Sequence, residues 1–488
     1  MIKRGAIWLL VALATFLGVR VYDTQRGPPL RPWHTYVPKE LSVSQLDKSD
    51  WADFLKAEED VFARVRTQVT EKLDPEDRVP SNRYFAGSPL YPGHFSQDWN
   101  RSFVLEPDGT PIGAAVFLHG LTDSPYSLRH IAQRYRDLGY LSLGIRLPGH
   151  GTVPGGLIDA EWEEWLAATR LAVREARRRA GPSVPLHLVG YSNGAALALM
   201  YALEAIENRE LARPDRLVLI SPMIGVTAFA RFAGVAGWPA IFPAFAKAAW
   251  LSILPEFNPF KYNSFPVDAA RQTYLLTDAL QRQISRHARN GRLSELPPVL
   301  TFQSVIDATV STRAIISSFY SQLPKNGSEL VLFDLNRNTK FGPLVRPELD
   351  TVVSQLLPKE PRKFRTSIVT NASPATGRVV ERSTEAGQTT EQFREIGLTY
   401  PSNVYSLSHV ALPFPTTDSL YGTDPDPGEN FGVHLGAVAG RGERGTLIVS
   451  LDTLFRMSSN PFFPYLLERI EEGVGVDPSR DRAAPPPK

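Results

Sequence analysis

The chain has 488 residues, of which 43% are hydrophobic and 21% charged, and its formal net charge is +2 at pH 7. This balance is typical of a globular protein with a large core, built as one domain with insertions or as two or three domains. The small net charge gives no electrostatic basis for a nucleic-acid partner. The absence of cysteine excludes disulfides, thiolate catalysis and cysteine-ligated zinc.

The first predicted element is an apolar run from Ala6 to Val19, which follows the cations Lys3 and Arg4. The run is short for a membrane span and has the length of a signal-peptide core. We therefore predict that residues 1–23 form a signal or membrane-anchor segment. The chain is then exported, contacts the membrane through this segment, and has its body outside the cytoplasm. The alternative, a buried N-terminal helix, leaves the basic start unexplained.

Residues 24–101 are predicted to form an arm that packs on the main domain. The segment is rich in proline and polar residues and contains one helical stretch. Apolar residues recur in that stretch at spacings of three and four, which indicates a helix with one buried face. These residues are Trp51, Phe54, Leu55, Val61, Phe62, Val65 and Val69.

Residues 102–222 alternate between short apolar strands and helices. The segment "SFVLEPDGTPIGAAVFLHG" predicts two strands joined by a turn at Pro107-Asp108-Gly109. Further strands are predicted at "YLSLGIRL", "PLHLVG" and "DRLVLISP", with helices between them. Strands that are apolar on both faces and separated by helices indicate a mostly parallel sheet covered on both sides. The predicted fold class is therefore a doubly wound α/β fold.

The alternation breaks after "DRLVLISP". Residues 223–293 are rich in Ala, Phe, Pro and Trp, and this partly helical insertion predicts a cap over an apolar pocket, with additional core as the alternative. The core resumes over residues 294–336, with strands in "PPVLTFQSVIDATV" and "SELVLFDLN". We further predict a polar insertion over residues 337–400, a C-terminal part of the core over residues 401–472, and a disordered tail over residues 473–488.

The stretch Gly190-Tyr191-Ser192-Asn193-Gly194 carries the chemistry. It places a G-x-S-x-G pattern between a buried strand and a helix. The glycines let neighbouring backbones pass closely, so the serine can occupy a strained turn with its hydroxyl exposed. The helix that follows offers free N–H groups to an oxyanion. We interpret Ser192 as a nucleophile; the alternative is a purely structural turn.

Four segments together resemble the α/β-hydrolases over residues 102–335, in particular the branch of monoacylglycerol lipases, lysophospholipases and carboxylesterases. They are "FLHGLTDSP", "RLPGHG", "GYSNG" and "VIDATVST", in the order of that family. The resemblance implies an α/β-hydrolase fold with a helical cap and Ser192 as the nucleophile. It also implies an oxyanion hole formed by the backbone N–H groups of Leu121 and Asn193. His119 and His150 are expected to shape loops, and His187 to lie in the core.

The resemblance also implies an acid that orients the base. We predict Asp307, which follows the strand "PVLTFQSVI" at the sheet end where ligands of such folds gather. Asp334, inside "LVLFDLN", is the alternative. Both residues follow Ser192, as the order serine, acid, histidine requires.

The base departs from the family pattern. A histidine should follow the last strand within a few residues, yet "NRNTKF" after "ELVLFDL" contains none. Only His409 and His434 remain downstream of Asp307. Either a long inserted segment precedes the histidine and brings it back to the site, or the fold has lost its catalytic activity. We assign the base to His409, because a strand-like run precedes it and apolar residues follow it; His434 lies among glycines.

We therefore predict a serine hydrolase that cleaves carboxylic esters of lipid-like or other apolar acyl groups through an acyl-enzyme. No motif marks a cofactor or a metal site, and the partner is a small ester or lipid substrate. The alternatives are an exported peptidase or amidase, an acyltransferase of the same fold, and a catalytically silent hydrolase-like binding domain. A base close to Ser192 separates the enzymes from the silent domain.

Overall fold

The computed structural model describes residues 2–225, 237–339, 352–436 and 459–474. The predicted disordered tail therefore lies outside the described residues except for its first two positions. The strands are β1 Phe103–Leu105, β2 Gly113–Leu118, β3 Tyr140–Ile145, β4 Leu186–Tyr191, β5 Arg216–Ile220, β6 Trp250–Ser252, β7 Phe265–Pro266, β8 Val299–Ser304, β9 Glu329–Phe333, β10 Arg365–Asn371, β11 Arg378–Thr384 and β12 Glu391–Thr399.

One mostly parallel sheet organises the molecule. Within the described part of the chain its strand order is β1-β3-β2-β4-β5-β8-β9-β10-β11-β12. The seven central strands, β3, β2, β4, β5, β8, β9 and β10, run parallel to one another. At the edges β1 is antiparallel to β3, β11 to β10, and β12 to β11. The predicted parallel sheet is confirmed. However, β1 pairs with β3, so the two strands around Gly109 are not sheet neighbours.

The α-helices cover the sheet and form the arm. They are α1 Ile2–Gln25, α2 Pro32–Thr35, α3 Val43–Lys48, α4 Trp51–Gln68, α5 Arg129–Asp137, α6 Trp162–Ala180, α7 Asn193–Glu207, α8 Val267–Arg289, α9 Thr312–Ala314, α10 Val352–Leu356 and α11 Phe463–Glu471. One large apolar cluster joins α6, α7 and α8 to the sheet. A second cluster joins α5, α11 and the segment 401–436 to it. Both faces of the sheet are thus buried, as the continuous apolar strands predict.

The predicted helix of the arm is present as α4. Asp50 caps it by accepting a hydrogen bond from the N–H of Asp53, and Trp51 and Phe54 are buried in the core. The arm is also tied to the "RLPGHG" loop by charge: the buried Arg146 guanidinium bonds Glu40 at 2.7 Å and Glu58 at 3.1 Å. The arm therefore packs on the main domain, as expected.

Two predicted boundaries need correction. Helix α8, placed in the cap of residues 223–293, buries Leu276, Leu280 and Ile284 in the core and covers the sheet beside α7. For the residues before α8 the cap stays a prediction, and residues 226–236 of these lie outside the described residues. The polar insertion of residues 337–400 is not separate from the core, because β10, β11 and β12 extend the sheet beyond β9.

The N-terminal segment forms α1. No helix among the residues that the structure describes is both long and apolar enough to cross a membrane. The predicted membrane anchor therefore has no support from the structure.

Candidate active site

The turn between β4 and α7 holds Ser192 in a strained conformation. Its φ is 55° and its ψ is −113°, outside the regions that non-glycine residues favour. A Cβ atom on Gly194 would lie 2.0 Å from the carbonyl O of Leu118, and one on Gly190 would lie 2.5 Å from the Cα of Ala195. Both glycines are thus required by close backbone approach. The turn is strained as predicted, but Ser192 is buried rather than exposed.

Three side chains from distant parts of the chain meet at this turn. The Nε2 atom of His409 lies 2.9 Å from the Oγ of Ser192, and its Nδ1 lies 2.9 Å from the Oδ2 of Asp307. Ser192 and His409 are 4% and 6% exposed. The structure therefore brings together the three residues predicted as nucleophile, base and acid, although 217 positions separate His409 from Ser192.

The Asp307 carboxylate is held from both sides. Its Oδ1 accepts hydrogen bonds from the N–H groups of Thr309 (2.8 Å) and Val310 (2.9 Å). Burial alone would raise the pKa of Asp307, but the interaction with His409 and the donated hydrogen bonds outweigh it, so this pKa lies below its ordinary value. An ionised Asp307 accepts the Nδ1–H of His409, which leaves Nε2 free to accept the proton of Ser192.

The alternative acid and base lie elsewhere. The Asp334 carboxylate accepts a hydrogen bond from Thr370 Oγ1 at 3.0 Å and pairs with Arg337 at 3.4 Å. His434 is exposed, and its Nδ1 contacts the carbonyl O of Ser419 at 2.9 Å. Neither residue contacts the site around Ser192.

His409 reaches the site on an irregular segment, residues 401–436, that follows β12. Side chains of the core hold its main chain near the histidine. Ser304, at the end of β8, donates its hydroxyl to the carbonyl O of Leu407 at 2.9 Å. Tyr191, at the end of β4, donates its hydroxyl to the carbonyl O of His409 at 3.3 Å. The chain therefore extends the sheet by three strands and then returns across it.

The segment after β2 lies beside Ser192. A Cβ atom on Gly120 would lie 3.4 Å from the Cβ of Ser192, so this segment passes close to the nucleophile one residue before Leu121. Thr122 has a φ of 61°, and its carbonyl O accepts the N–H of Tyr262 at 2.8 Å, which stabilises this strained turn. The placement is compatible with an oxyanion hole formed by Leu121 and Asn193, which stays a prediction.

The other histidines of the motifs are structural. His119 Nε2 accepts the N–H of Leu147 at 3.1 Å, and burial followed by the neighbouring His150 holds the pKa of His119 well below its usual value. His150 Nδ1 contacts the carbonyl O of Pro148 at 3.0 Å. His187 lies in β4, where burial lowers its pKa to about 3. These placements agree with the loop and core roles expected for them.

Two residues beside the site were missed by the sequence motifs. Gln303, on β8, donates its Nε2–H to Oδ2 of Asp307 at 3.1 Å and to Oγ1 of Thr312 at 3.0 Å. Asp123 is buried two positions after Leu121, and burial raises its pKa to about 6 against the opposing charge of Lys261. No sequence pattern marks Gln303, whereas Asp123 stands in the quoted "HGLTDSP" motif and drew no separate prediction.

Among the described residues, no group of three or more histidine, aspartate or glutamate side chains is placed to hold a metal ion.

Residues 109–334 match the family model described as "Serine aminopeptidase, S33". The match covers slightly less than half of the chain and ends before His409. The sheet, the strained serine turn and this match define the matched region as an α/β-hydrolase domain, which confirms the resemblance seen in the motifs.

A thermostable monoacylglycerol lipase of Bacillus sp. (strain H-257) is 29% identical over 92 residues, which are 19% of this chain and 35% of the lipase. The match thus spans about a third of the relative's length. A monoacylglycerol lipase of Paleococcus ferrophilus is 17% identical, with a TM-score of 0.35 over 52% of this chain and 98% of that one. A soluble variant of monoglyceride lipase from Saccharomyces cerevisiae is 14% identical, with a TM-score of 0.35 over 47% and 81%.

Proposed function

We propose that the chain is a serine hydrolase that cleaves carboxylic esters without a cofactor. The observation that carries this proposal is the chain of two 2.9 Å contacts from Ser192 through His409 to Asp307. A silent binding domain has no need for a base within hydrogen-bond distance of a strained, buried serine. The family match and the likeness to a monoacylglycerol lipase support the same reading.

The mechanism follows from the geometry. Ser192 Oγ attacks the ester carbonyl carbon while its proton passes to Nε2 of His409, and the resulting imidazolium is stabilised by the Asp307 carboxylate. The tetrahedral oxyanion accepts hydrogen bonds from the N–H groups of Leu121 and Asn193. His409 then returns the proton to the leaving alcohol, and the acyl group stays on Ser192. Water, deprotonated by the same imidazole, releases the acid.

Apolar acyl groups are the proposed substrates. The cap residues Trp238, Ile241 and Phe242 are 52%, 79% and 64% exposed. Large apolar side chains grouped in this way mark surfaces that receive apolar partners. The likeness to a monoacylglycerol lipase points in the same direction.

Hydrolysis of p-nitrophenyl acetate, butyrate and octanoate tests both claims. Each buried methylene contributes about 0.8 kcal/mol, so kcat/KM should rise roughly fourfold per methylene until the pocket is full. Phe242→Ser should flatten this rise. Phe393→Ser is the matched control, because Phe393 is 69% exposed, close to the value for Phe242, but lies on the edge strand β12. A flat profile in the wild type would contradict the apolar pocket, and no turnover of any ester would contradict the esterase.

A peptidase is the second candidate, because the family description names a serine aminopeptidase. The same triad cleaves amides when the site binds a charged amino terminus. Aminoacyl p-nitroanilides, assayed beside the esters, distinguish the two: faster turnover of the anilides would replace the esterase with the peptidase.

We also propose that the chain is exported, because Lys3 and Arg4 precede an apolar run of signal-peptide length. Fractionation of cells that express a C-terminal reporter fusion tests this proposal. The fusion should be found outside the cytoplasm, and retention of its activity in the cytoplasm would contradict export.

A further inference from the structure

A buried ionic cluster lies outside the triad, around Asp418. Its carboxylate accepts hydrogen bonds from Arg129 (2.5 Å), His130 (2.9 Å) and the Tyr126 hydroxyl (2.9 Å). The N–H groups of Leu420 and Tyr421 complete the set at 3.0 and 2.7 Å. The side chains of Asp418 and Arg129 are 0% and 1% exposed. We call these four side chains, Asp418, Arg129, His130 and Tyr126, the Asp418 cluster.

The cluster joins the two segments that carry the reacting groups. Asp418 lies nine positions after His409, on the irregular segment 401–436. Tyr126 follows Leu121 in the stretch between β2 and α5, and Arg129 begins α5. A single carboxylate therefore ties the segment of the base to the segment of the predicted oxyanion hole.

Aromatic packing makes this connection rigid. The Tyr126 ring stacks on Phe260 with centroids 4.1 Å apart, and the guanidinium of Arg129 lies 3.9 Å from the centroid of the Tyr126 ring. On the other side, Phe414 packs against Tyr421 at 4.3 Å. Phe414 stands between His409 and Asp418, so a movement of the carboxylate is transmitted to the histidine through a packed chain segment.

The segment needs such fixation because no strand ladder holds it. In the described part of residues 401–436, regular strand pairing is absent apart from one bridge between Pro415 and Asn460. Apolar packing and backbone hydrogen bonds at Tyr405 and Phe414 hold it in part, and side-chain bonds, several of them to the fully buried Asp418 carboxylate, hold the rest. Charge-assisted hydrogen bonds in a dry site are the strongest of this kind.

We propose that Asp418 is a positioning residue for the reaction: with Arg129, His130 and Tyr126 it holds His409 at bonding distance from Ser192. The inference rests on the proposed hydrolase function. Asp418 touches none of the reacting atoms, so its loss should lower kcat and leave substrate binding largely intact. A displacement of the base of the order of 1 Å costs up to about 100-fold in rate.

The test compares Asp418→Asn with Glu429→Gln in the full-length protein. Glu429 bonds the same Arg129 at 3.1 Å, but its side chain is 37% exposed, so it serves as the matched control. With p-nitrophenyl butyrate as the probe, Asp418→Asn should lower kcat at least about tenfold and change KM less than about twofold. Glu429→Gln should retain the kcat of the wild type within about twofold.

Spectroscopy distinguishes a positioning role of Asp418 from a purely structural one. Proton NMR reports the strong His409–Asp307 hydrogen bond as a downfield signal, which Asp307→Asn identifies by its loss. The signal should weaken or shift in Asp418→Asn and persist in Glu429→Gln. If Asp418→Asn does not fold, Tyr126→Phe replaces it, because it keeps the stacked ring and removes one donor; its kcat should fall about threefold.

A folded Asp418→Asn or Tyr126→Phe protein with the kcat and the downfield signal of the wild type would overturn the proposal. A failure of the proposed hydrolase function gives a different set of results. In that case the wild type neither hydrolyses esters nor reacts with a fluorophosphonate, while the downfield signal still reports whether the Asp418 cluster positions His409.

Discussion

Tyr191 and His409 are joined by a hydrogen bond that connects the candidate nucleophile to the candidate base through the main chain. The Tyr191 hydroxyl donates to the carbonyl O of His409 at 3.3 Å, and the two rings lie 5.4 Å apart. Tyr191 immediately precedes Ser192. The residue before the nucleophile therefore helps to hold in place the segment that carries the His409 imidazole.

Replacing Tyr191 by phenylalanine should slow catalysis without unfolding the protein. The ring remains, while one neutral hydrogen bond worth about 1 kcal/mol is lost, so kcat should fall about fivefold. Tyr201→Phe is the control: Tyr201 lies on α7, and its hydroxyl donates to the carbonyl O of Ala212 at 3.0 Å, not to a residue of the site. Steady-state kinetics and thermal unfolding of both variants check this. Equal kcat in the two variants would contradict the role of Tyr191.

Gln303→Met should weaken the acid of the triad. The Nε2–H of Gln303 bonds the same oxygen of Asp307 that His409 contacts, and a donor to a carboxylate favours its ionised form. Its removal raises the pKa of Asp307 and frees the carboxylate to turn, so kcat should fall about three- to tenfold. Gln272→Met, at a buried site on α8, should leave kcat unchanged. An unchanged kcat in Gln303→Met would show that Asp307 needs no such support.

His409→Ala should abolish turnover. Without a base the Ser192 hydroxyl stays protonated, and the loss in kcat is several orders of magnitude. His434→Ala is the matched control, because His434 is exposed and contacts only a backbone carbonyl among the described residues. Near-normal esterase activity in a folded His409→Ala protein would refute the assignment of the base.

Asp123→Asn should stabilise the protein at alkaline pH relative to the wild type. Burial raises the pKa of Asp123 to about 6, above that of an unfolded aspartate. The folded state therefore favours the protonated form, and this contribution to stability is lost as the pH rises through about 6. The variant stays neutral, so its advantage in unfolding free energy should grow by roughly 2 to 3 kcal/mol between pH 4 and pH 8.

Thermal unfolding followed by circular dichroism at several pH values measures this difference. Asp60→Asn provides the control, because Asp60 is exposed on α4 and should follow the wild type at every pH. A constant difference between Asp123→Asn and the wild type across the range would contradict the raised pKa.

Sequence patterns predict those parts of the site whose residues lie close together in the sequence or directly follow a recognisable strand. The glycines around Ser192 are dictated by the close approach of neighbouring backbone and appear as a pattern within five residues, and Asp307 follows its strand directly. His409 was inferred because few histidines remain downstream of Asp307, because a strand-like run precedes it and because apolar residues follow it. Its contact with Ser192 depends on three added strands, whose polar, charged sequence resembles an insertion; β12 is mostly exposed, so it lacks the apolar signal of a core strand.

Long-range polar contacts leave no pattern in a single sequence. Tyr126 and Asp418 are separated by 292 positions, and nothing near either residue indicates the other. Gln303 lies inside an apolar strand, where one polar residue gives no sign of its partner. The predicted cap included α8 for a related reason: α8 has an apolar face that fits a lid as well as the surface of a sheet.

Labelling by a fluorophosphonate probe tests the central claim, that Ser192 is an activated nucleophile. The probe phosphonylates a serine, with loss of fluoride, only where a base and an oxyanion site activate it. Mass spectrometry of the wild type should find one adduct, on the peptide that contains Ser192. Ser192→Ala should carry none, and His409→Ala should react orders of magnitude more slowly. Equal labelling of the wild type and Ser192→Ala would contradict the account.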